Sequence, residues 1–281
     1  QLVDQPKPQL MFNSEYPFYS SLSEGMTRHF SSLFKTLKNN HLNNINNSFT
    51  IEIGCNDGIF LENFQKNNLR HLGIEPSKNV ANLSKKKSIN VLNNFFDIDL
   101  TNKIIKQYGK VHLVFAANVI CHIKDINSLF ECVEKLLDKK GLFVFEDPYL
   151  GDVIENNQFD QIYDEHVYLF SIMSIQNISK YYNLELINCE KLTTHGGSMR
   201  YTLAKKGEFE VKENVDNLLF KEKEIGLDKI EVFKKFDVNC KKFKQNFFNL
   251  LNDLKNKNKK IIGYAATSKS TTILNYCNIN N

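Results

Sequence analysis

Residues Phe49-Thr-Ile-Glu-Ile-Gly-Cys-Asn-Asp-Gly58 constrain this chain more than any other stretch. A short apolar run ending in glycines reads as a buried strand that breaks into a turn, and the apolar Phe60, Leu61 and Phe64 that follow read as one face of a helix. Strand, glycine loop and helix in that order form the first ligand loop of an α/β fold. Glu75 follows one helix and one short strand later (Arg70 to Ile74), where an acidic side chain can accept hydrogen bonds from both ribose hydroxyls of an adenosine moiety. The loop is Glu52-x-Gly54-x-x-x-Gly58 and not Gly-x-Gly-x-x-Gly, so the dense glycine packing that seats a pyrophosphate on a helix N-terminus is missing.

The same rhythm continues downstream. Strands at Thr50 to Ile53, Arg70 to Ile74, Val91 to Phe96 and Val111 to Ala116 imply a parallel sheet with helices on both faces. Ile126, Leu129, Phe130, Val133, Leu136 and Leu137 recur at helical spacing, with Gly141 as the stop before a strand from Leu142 to Phe145. After a helical region (Ile172 to Tyr182), strands Leu184 to Cys189 and Met199 to Ala204 form a terminal hairpin, which separates this pattern from dehydrogenase sheets. The predicted fold class is α/β: a doubly wound, mostly parallel, seven-stranded Rossmann-like sheet over 49–206. Residues 1–48, with a helix-like stretch from Ser23 to Leu37, read as an N-terminal lid or linker, and 207–258 as a helical connector with long amphipathic helices between Val215 and Leu254. In 259–281, Ile261-Ile-Gly-Tyr-Ala-Ala266 reads as a fresh buried strand and Thr267-Ser-Lys-Ser-Thr-Thr272 as a polar loop leading to a helix, the start of an incomplete second α/β lobe.

Composition narrows the function classes. At 281 residues and 42% apolar, the chain can bury at least one full core. The net charge of +4 comes from lysines scattered through Asn-rich segments instead of a stripe, so no nucleic-acid partner is expected. No apolar run approaches the roughly 18 residues that span a bilayer, and no signal peptide is present, so no membrane partner is expected. The six cysteines include no C-x-x-C pair, which argues against a zinc site or a disulfide framework and makes a reducing cytoplasm the expected location. A chain that starts at Gln1 without Met reads as a segment of something longer.

Five motifs then carry a resemblance: Glu52-Ile-Gly-Cys-Asn-Asp-Gly58, Asn118-Val-Ile-Cys-His-Ile-Lys-Asp125, the run from Glu155 to Tyr163-Asp-Glu-His166, Thr194-His-Gly-Gly-Ser-Met-Arg200, and Gly263-Tyr-Ala-Ala-Thr-Ser-Lys269. In this order they resemble the nucleotide-sugar C-methyltransferases, which alkylate C3 of a dTDP-linked 4-keto-deoxysugar, and the match covers nearly the whole chain. The resemblance implies S-adenosylmethionine as cofactor. Gly54 would let the backbone approach its methionine part, with Asn56, Asp57 and Gly58 shaping the turn. Glu75, with Pro76 beside it, would take the ribose, Phe96 and Asp97 would flank the adenine, and Asn118 would close the floor.

A carbon next to a ketone becomes nucleophilic when a base removes its proton while a donor stabilises the enolate oxygen, and a histidine suits that base role. The resemblance makes His166 the base, Tyr163 and Glu165 groups that position or polarise the sugar, and His122 an enolate-side partner. It also brings an aromatic hydroxyl from the N-terminal segment, Tyr16 or Tyr19. His195, Gly197, Ser198 and Arg200 become a diphosphate clamp, with Arg200 as a bidentate fork, and Lys269 a further contact to the nucleotide. Each assignment has a plainer counterpart: a structural His122, a polar loop at Tyr163 to His166, core packing for Phe96, a hairpin turn with a surface Arg200, and lid staples at Tyr16 and Tyr19. Asp164, Glu165 and His166 are possible metal ligands, yet adjacent side chains diverge on a regular element, so no metal is expected.

The alternatives in function are a small-molecule O-methyltransferase, since His166 could equally deprotonate a hydroxyl, and a non-catalytic S-adenosylmethionine-binding module. The resembled family usually begins with a four-cysteine zinc domain that has no counterpart before Cys55 and continues past the position of Asn281. Sugar, nucleobase and oligomeric state stay open.

Overall fold

The computed structural model describes residues 1–264 and 267–279. At its centre is a seven-stranded sheet in the order β3-β2-β1-β4-β5-β7-β6. The strands are β1 (Phe49–Ile53), β2 (Arg70–Ile74), β3 (Val91–Leu92), β4 (Val111–Ala117), β5 (Leu137–Pro148), β6 (Leu184–Leu192) and β7 (Ser198–Lys205). Strands β1 to β5 pair in parallel, and β7 inserts antiparallel between β5 and β6, as the predicted fold class requires.

The helices are α1 (Pro8–Met11), α2 (Glu24–Asn40), α3 (Leu61–Lys66), α4 (Lys78–Lys86), α5 (Ile98–Tyr108), α6 (Ile126–Leu136), α7 (Leu150–Glu155), α8 (Ile172–Tyr181), α9 (Glu213–Ile225), α10 (Ile230–Asn256) and α11 (Ser268–Cys277). Alternation along the strands divides the core into two layers. Ile51, Ile53, Val114, Phe143 and Phe145 pack with α5, α6 and α8, whereas Leu113, Phe115 and Val144 pack with α2 and α3. Helix α2 forms because Ser23 caps it, accepting from the Met26 amide, and because Phe30, Leu33, Phe34 and Leu37 make one buried stripe.

Strand β1 lies between β2 and β4, so the chain order reverses there and leaves a crevice beyond the carboxyl ends of β1 and β4. Two tight turns meet at that crevice. Gly54 has φ of +67° and Asn118 φ of +53°, and a Cβ on Gly54 would lie 2.4 Å from Val119 Cγ2. Only a glycine lets the two turns close.

Four expectations are corrected. Strand β3 ends at Leu92 instead of Phe96, because the Asn93 side chain bonds the carbonyls of Glu75 and Pro76, both at 2.8 Å, and draws the chain off the ladder. Gly141 does not stop a helix: α6 ends at Leu136, and Gly141 sits inside β5 where a Cβ would lie 2.6 Å from the Val111 carbonyl. No strand forms over 261–264: Ile262 is 75% and Tyr264 99% exposed, with no paired strand beside them among the described residues; Ala265 and Ala266 lie outside those residues. The polar stretch from Thr267 is the start of α11 itself, with Thr267 as N-cap in a reciprocal capping box with Ser270.

Candidate functional site

A cavity of about 830 Å³ opens at the crevice. One half of its wall comes from the β1, β2 and β4 ends: Gly54, Asn56, Glu75, Pro76, Phe95, Phe96, Asn118 and Val119. Glu75 is fixed by two backbone amides, Oε1 accepting from Ser77 at 2.8 Å and Oε2 from Asn56 at 2.9 Å. Each oxygen keeps a second lone pair, which is the arrangement that two vicinal hydroxyls need. Burial raises the Glu75 pKa, and the two amides oppose that rise.

The other half brings together His122, Tyr163, Glu165, His166, His195 and Lys269. His166 Nδ1 donates to the Gln161 carbonyl at 2.8 Å, so its Nε2 carries the lone pair and accepts from the Tyr163 hydroxyl at 2.9 Å. Burial lowers the His166 pKa to about 4, with Lys269 and His195 adding to the effect and the Gln161 carbonyl opposing it. The ring is a neutral base at pH 7. His122 stacks on His166 with centroids 5.3 Å apart and on Phe12 at 5.6 Å. Burial, with His166 adding, holds His122 down to about 3. Its Nε2 is buried with no hydrogen-bond partner among the described residues. Burial raises the Tyr163 phenol well above its usual range, Glu165 adding, so it remains a donor.

Among the described residues, Cys121, His122 and His166 each place one ligand-type atom within 4.8 Å of the others. Burial pushes the Cys121 thiol well up, so it stays a thiol, and the His166 lone pair is taken by Tyr163. The two imidazoles are stacked, with His166 hydrogen-bonded to Gln161 and Tyr163.

The N-terminal segment roofs both halves. Leu2 N donates to the Val167 carbonyl at 2.8 Å, and Phe12, Tyr16, Pro17 and Phe18 line the cavity. Asn56 grips the segment twice, accepting from Ser20 N at 3.0 Å and donating to the Phe18 carbonyl at 3.1 Å. Of the two candidate phenols, Tyr16 reaches the cavity. Burial raises its pKa, with Glu165 and Glu75 adding, so its hydroxyl stays a donor. Tyr19 does not line the cavity; its hydroxyl accepts from Asn79 at 3.2 Å.

Several expected site residues lie behind the wall. Asp57 is buried and accepts from Ser21, and Gly58 packs on Ile89 and Ser84. Asp97 caps α5, accepting from Leu100 N at 2.8 Å, so Phe95 and Phe96 flank the cavity without it. The expected clamp is not assembled: Gly197 packs over Asp152, Ser198 donates to the Thr194 carbonyl, and the Arg200 guanidinium is spent on Glu146 at 2.7 Å and Glu190 at 2.8 Å. Only His195 of that motif reaches the cavity, its carbonyl accepting from Lys269 Nζ at 2.8 Å and from Gln161 Nε2 at 3.0 Å.

Sequence reasoning missed Phe12 and Gln161. Phe12 acts through its ring, and the Phe12, Tyr16, Phe18 spacing was its one signal. Gln161 fixes His166 through a backbone carbonyl that any residue type carries.

Residues 27–188 match a family described as a methyltransferase domain, and residues 193–281 match one described as a C-methyltransferase C-terminal domain. The C-methyltransferase NovU of Streptomyces niveus is 27% identical over 230 residues, covering 82% of this chain and 55% of that protein. The chain therefore spans about half the length of this relative. Among solved structures, the plantazolicin methyltransferase BpumL, in complex with a triazolic desmethylPZN analog and SAH, overlays with a TM-score of 0.50 at 13% identity, covering 66% of this chain and 88% of that one. That likeness is one of fold.

Proposed function

The chain belongs to the methyltransferase-domain family, and we propose that it uses S-adenosylmethionine to methylate the carbon next to the ketone of a nucleotide-linked 4-ketosugar. The observation that carries this reading is the His166 ring: its tautomer is fixed by Gln161, it is neutral, and it lies against a second neutral imidazole in the same cavity as Glu75.

The cofactor fits the first half of the cavity by its donor set. Glu75 offers two aligned acceptors to ribose hydroxyls, Phe95 and Phe96 offer apolar faces to a purine, and Gly54 and Asn118 bring backbone to the floor. When bound, S-adenosylmethionine supplies an electrophilic methyl group. His166 Nε2 takes the proton from the substrate carbon once the Tyr163 phenol turns from it to the ketone oxygen. His122 donates from a neutral ring to the same oxygen as charge develops there, without giving up its proton. Lys269, at the N-terminal end of α11, faces the cavity beside His195 and holds the diphosphate, the place that Arg200 cannot take. NovU, a C-methyltransferase by name, supports transfer to carbon.

The test separates proton removal from methyl transfer. Incubated in D2O with a dTDP-linked 4-ketosugar and S-adenosylhomocysteine, the protein should exchange the proton on the carbon next to the ketone, and with S-adenosylmethionine it should form a C-methyl product. A product methylated on oxygen, or no solvent exchange, would overturn the reading.

A further inference from the structure

Tyr16 lines the cavity but belongs to no helix or strand, so its place depends on contacts from other elements. Asn79, in the first turn of α4, reaches up to it. Its Nδ2 donates to the Tyr16 carbonyl at 2.7 Å and to the Tyr19 hydroxyl at 3.2 Å. Its Oδ1 is buried without a partner among the described residues, so the contact depends on the donor side of the amide. Tyr16 precedes Pro17, which restricts it to extended backbone. A hydrogen bond to its carbonyl therefore also sets the direction of its side chain.

The other tethers stand elsewhere. Leu2 is bonded to Val167, while Asn56 and Asp57 hold Phe18, Ser20 and Ser21. Among the described residues, no other hydrogen bond joins residues 3–17 to the body of the domain. Asn79 itself does not line the cavity, so it touches neither ligand directly.

We propose that Asn79 is a positioning residue, which holds Tyr16 in the cavity wall, while Tyr19 serves as the second point of the same anchor. This inference rests on the reading of the cavity as a methyl-transfer site.

The test is a double-mutant cycle on methyl transfer, read beside hydrogen exchange. Asn79→Ala favours the helix it stands in, and Asn79→Asp keeps the shape but replaces the donor with an acceptor. Both should lower kcat about tenfold with unchanged thermal midpoint and unchanged KM for S-adenosylmethionine. In a Tyr16→Phe background, Asn79→Ala should lower kcat no further, because the hydroxyl it positions is gone. Amides of residues 9–16 should exchange faster in Asn79→Ala than in the wild type. Independent, multiplying losses in the double variant would overturn the proposal, as would a harmless Tyr16→Phe or equal exchange. If the wild type transfers no methyl group to a ketosugar nucleotide while the exchange still differs, the substrate reading falls and the anchoring of Tyr16 by Asn79 stands.

Discussion

At His166 the two ring nitrogens have separate tasks, and each can be tested. Nδ1 is committed to the Gln161 carbonyl, so Nε2 is the atom available to a substrate proton. Replacing the ring in His166→Ala should lower the methyl-transfer rate by roughly two to four orders of magnitude and leave S-adenosylhomocysteine affinity unchanged in calorimetric titration. The pH profile follows from the same burial. A base is lost when it protonates, and His166 is held down to about 4. Hence kcat/KM should stay level as the pH falls from 7.5 to about 5, and drop only near 4. An acid limb near 6.5, the ordinary histidine value, would mean that the catalytic base is not this buried ring. The Tyr163 to His166 run was legible as a candidate site, and the structure puts His166 in the cavity, but its tautomer was not legible, because the acceptor is a main-chain oxygen five residues upstream.

Elements were legible where a local signal and a long-range need agreed. Helix α2 has both a cap at Ser23 and an apolar stripe, and its position matches the expectation closely. Strand β3 was expected from Val91 to Phe96, yet two asparagines interrupt that run, and the Asn93 amide competes for the chain and keeps only two residues in the ladder. The junction of α8 with α9 had no sequence signal. Glu222 on α9 is fully buried and accepts from the Ile172 and Met173 amides at 2.6 and 2.9 Å and from the Tyr149 hydroxyl at 2.9 Å. It thus caps α8 from outside the helix, where a carboxyl group also suits the helix dipole. Removing it leaves two buried donors and one partly buried donor unpaired, so Glu222→Ala should cost about 3 kcal/mol or more in urea unfolding. A loss below about 1 kcal/mol would show that water or a neighbour takes over the donors.

Across the whole molecule, the cofactor half of the cavity was easier to read than the substrate half. The first is built around one strand-loop-helix unit and Glu75, whereas the second needs β4, the loop before α8, the hairpin turn, α11 and the N-terminal segment to converge. Sequence order carries no information on such distances, which is why Arg200 was expected in the cavity although Glu146 and Glu190 hold it. The depth of the same core also makes stability depend on pH. Asp147 is fully buried, accepts from the Cys121 amide at 3.0 Å, and has a second oxygen without a partner among the described residues. Burial drives its pKa up from 3.8 to about 8, against the hydrogen bonds from Cys121. The folded state then holds a proton that the unfolded chain has lost, so this contribution to stability falls as pH rises between those values. The lowered values of His122 and His166 act with the opposite sign, but only below their unfolded value of 6.5. From pH 6.5 to 8 the carboxyl contribution is unopposed by these rings. In Asp147→Asn it is absent, so the stability of the variant relative to wild type should grow by about 2 kcal/mol across that interval in urea titrations. A difference that stays constant from pH 6.5 to 8 would mean that Asp147 is already ionised in the folded protein at neutrality.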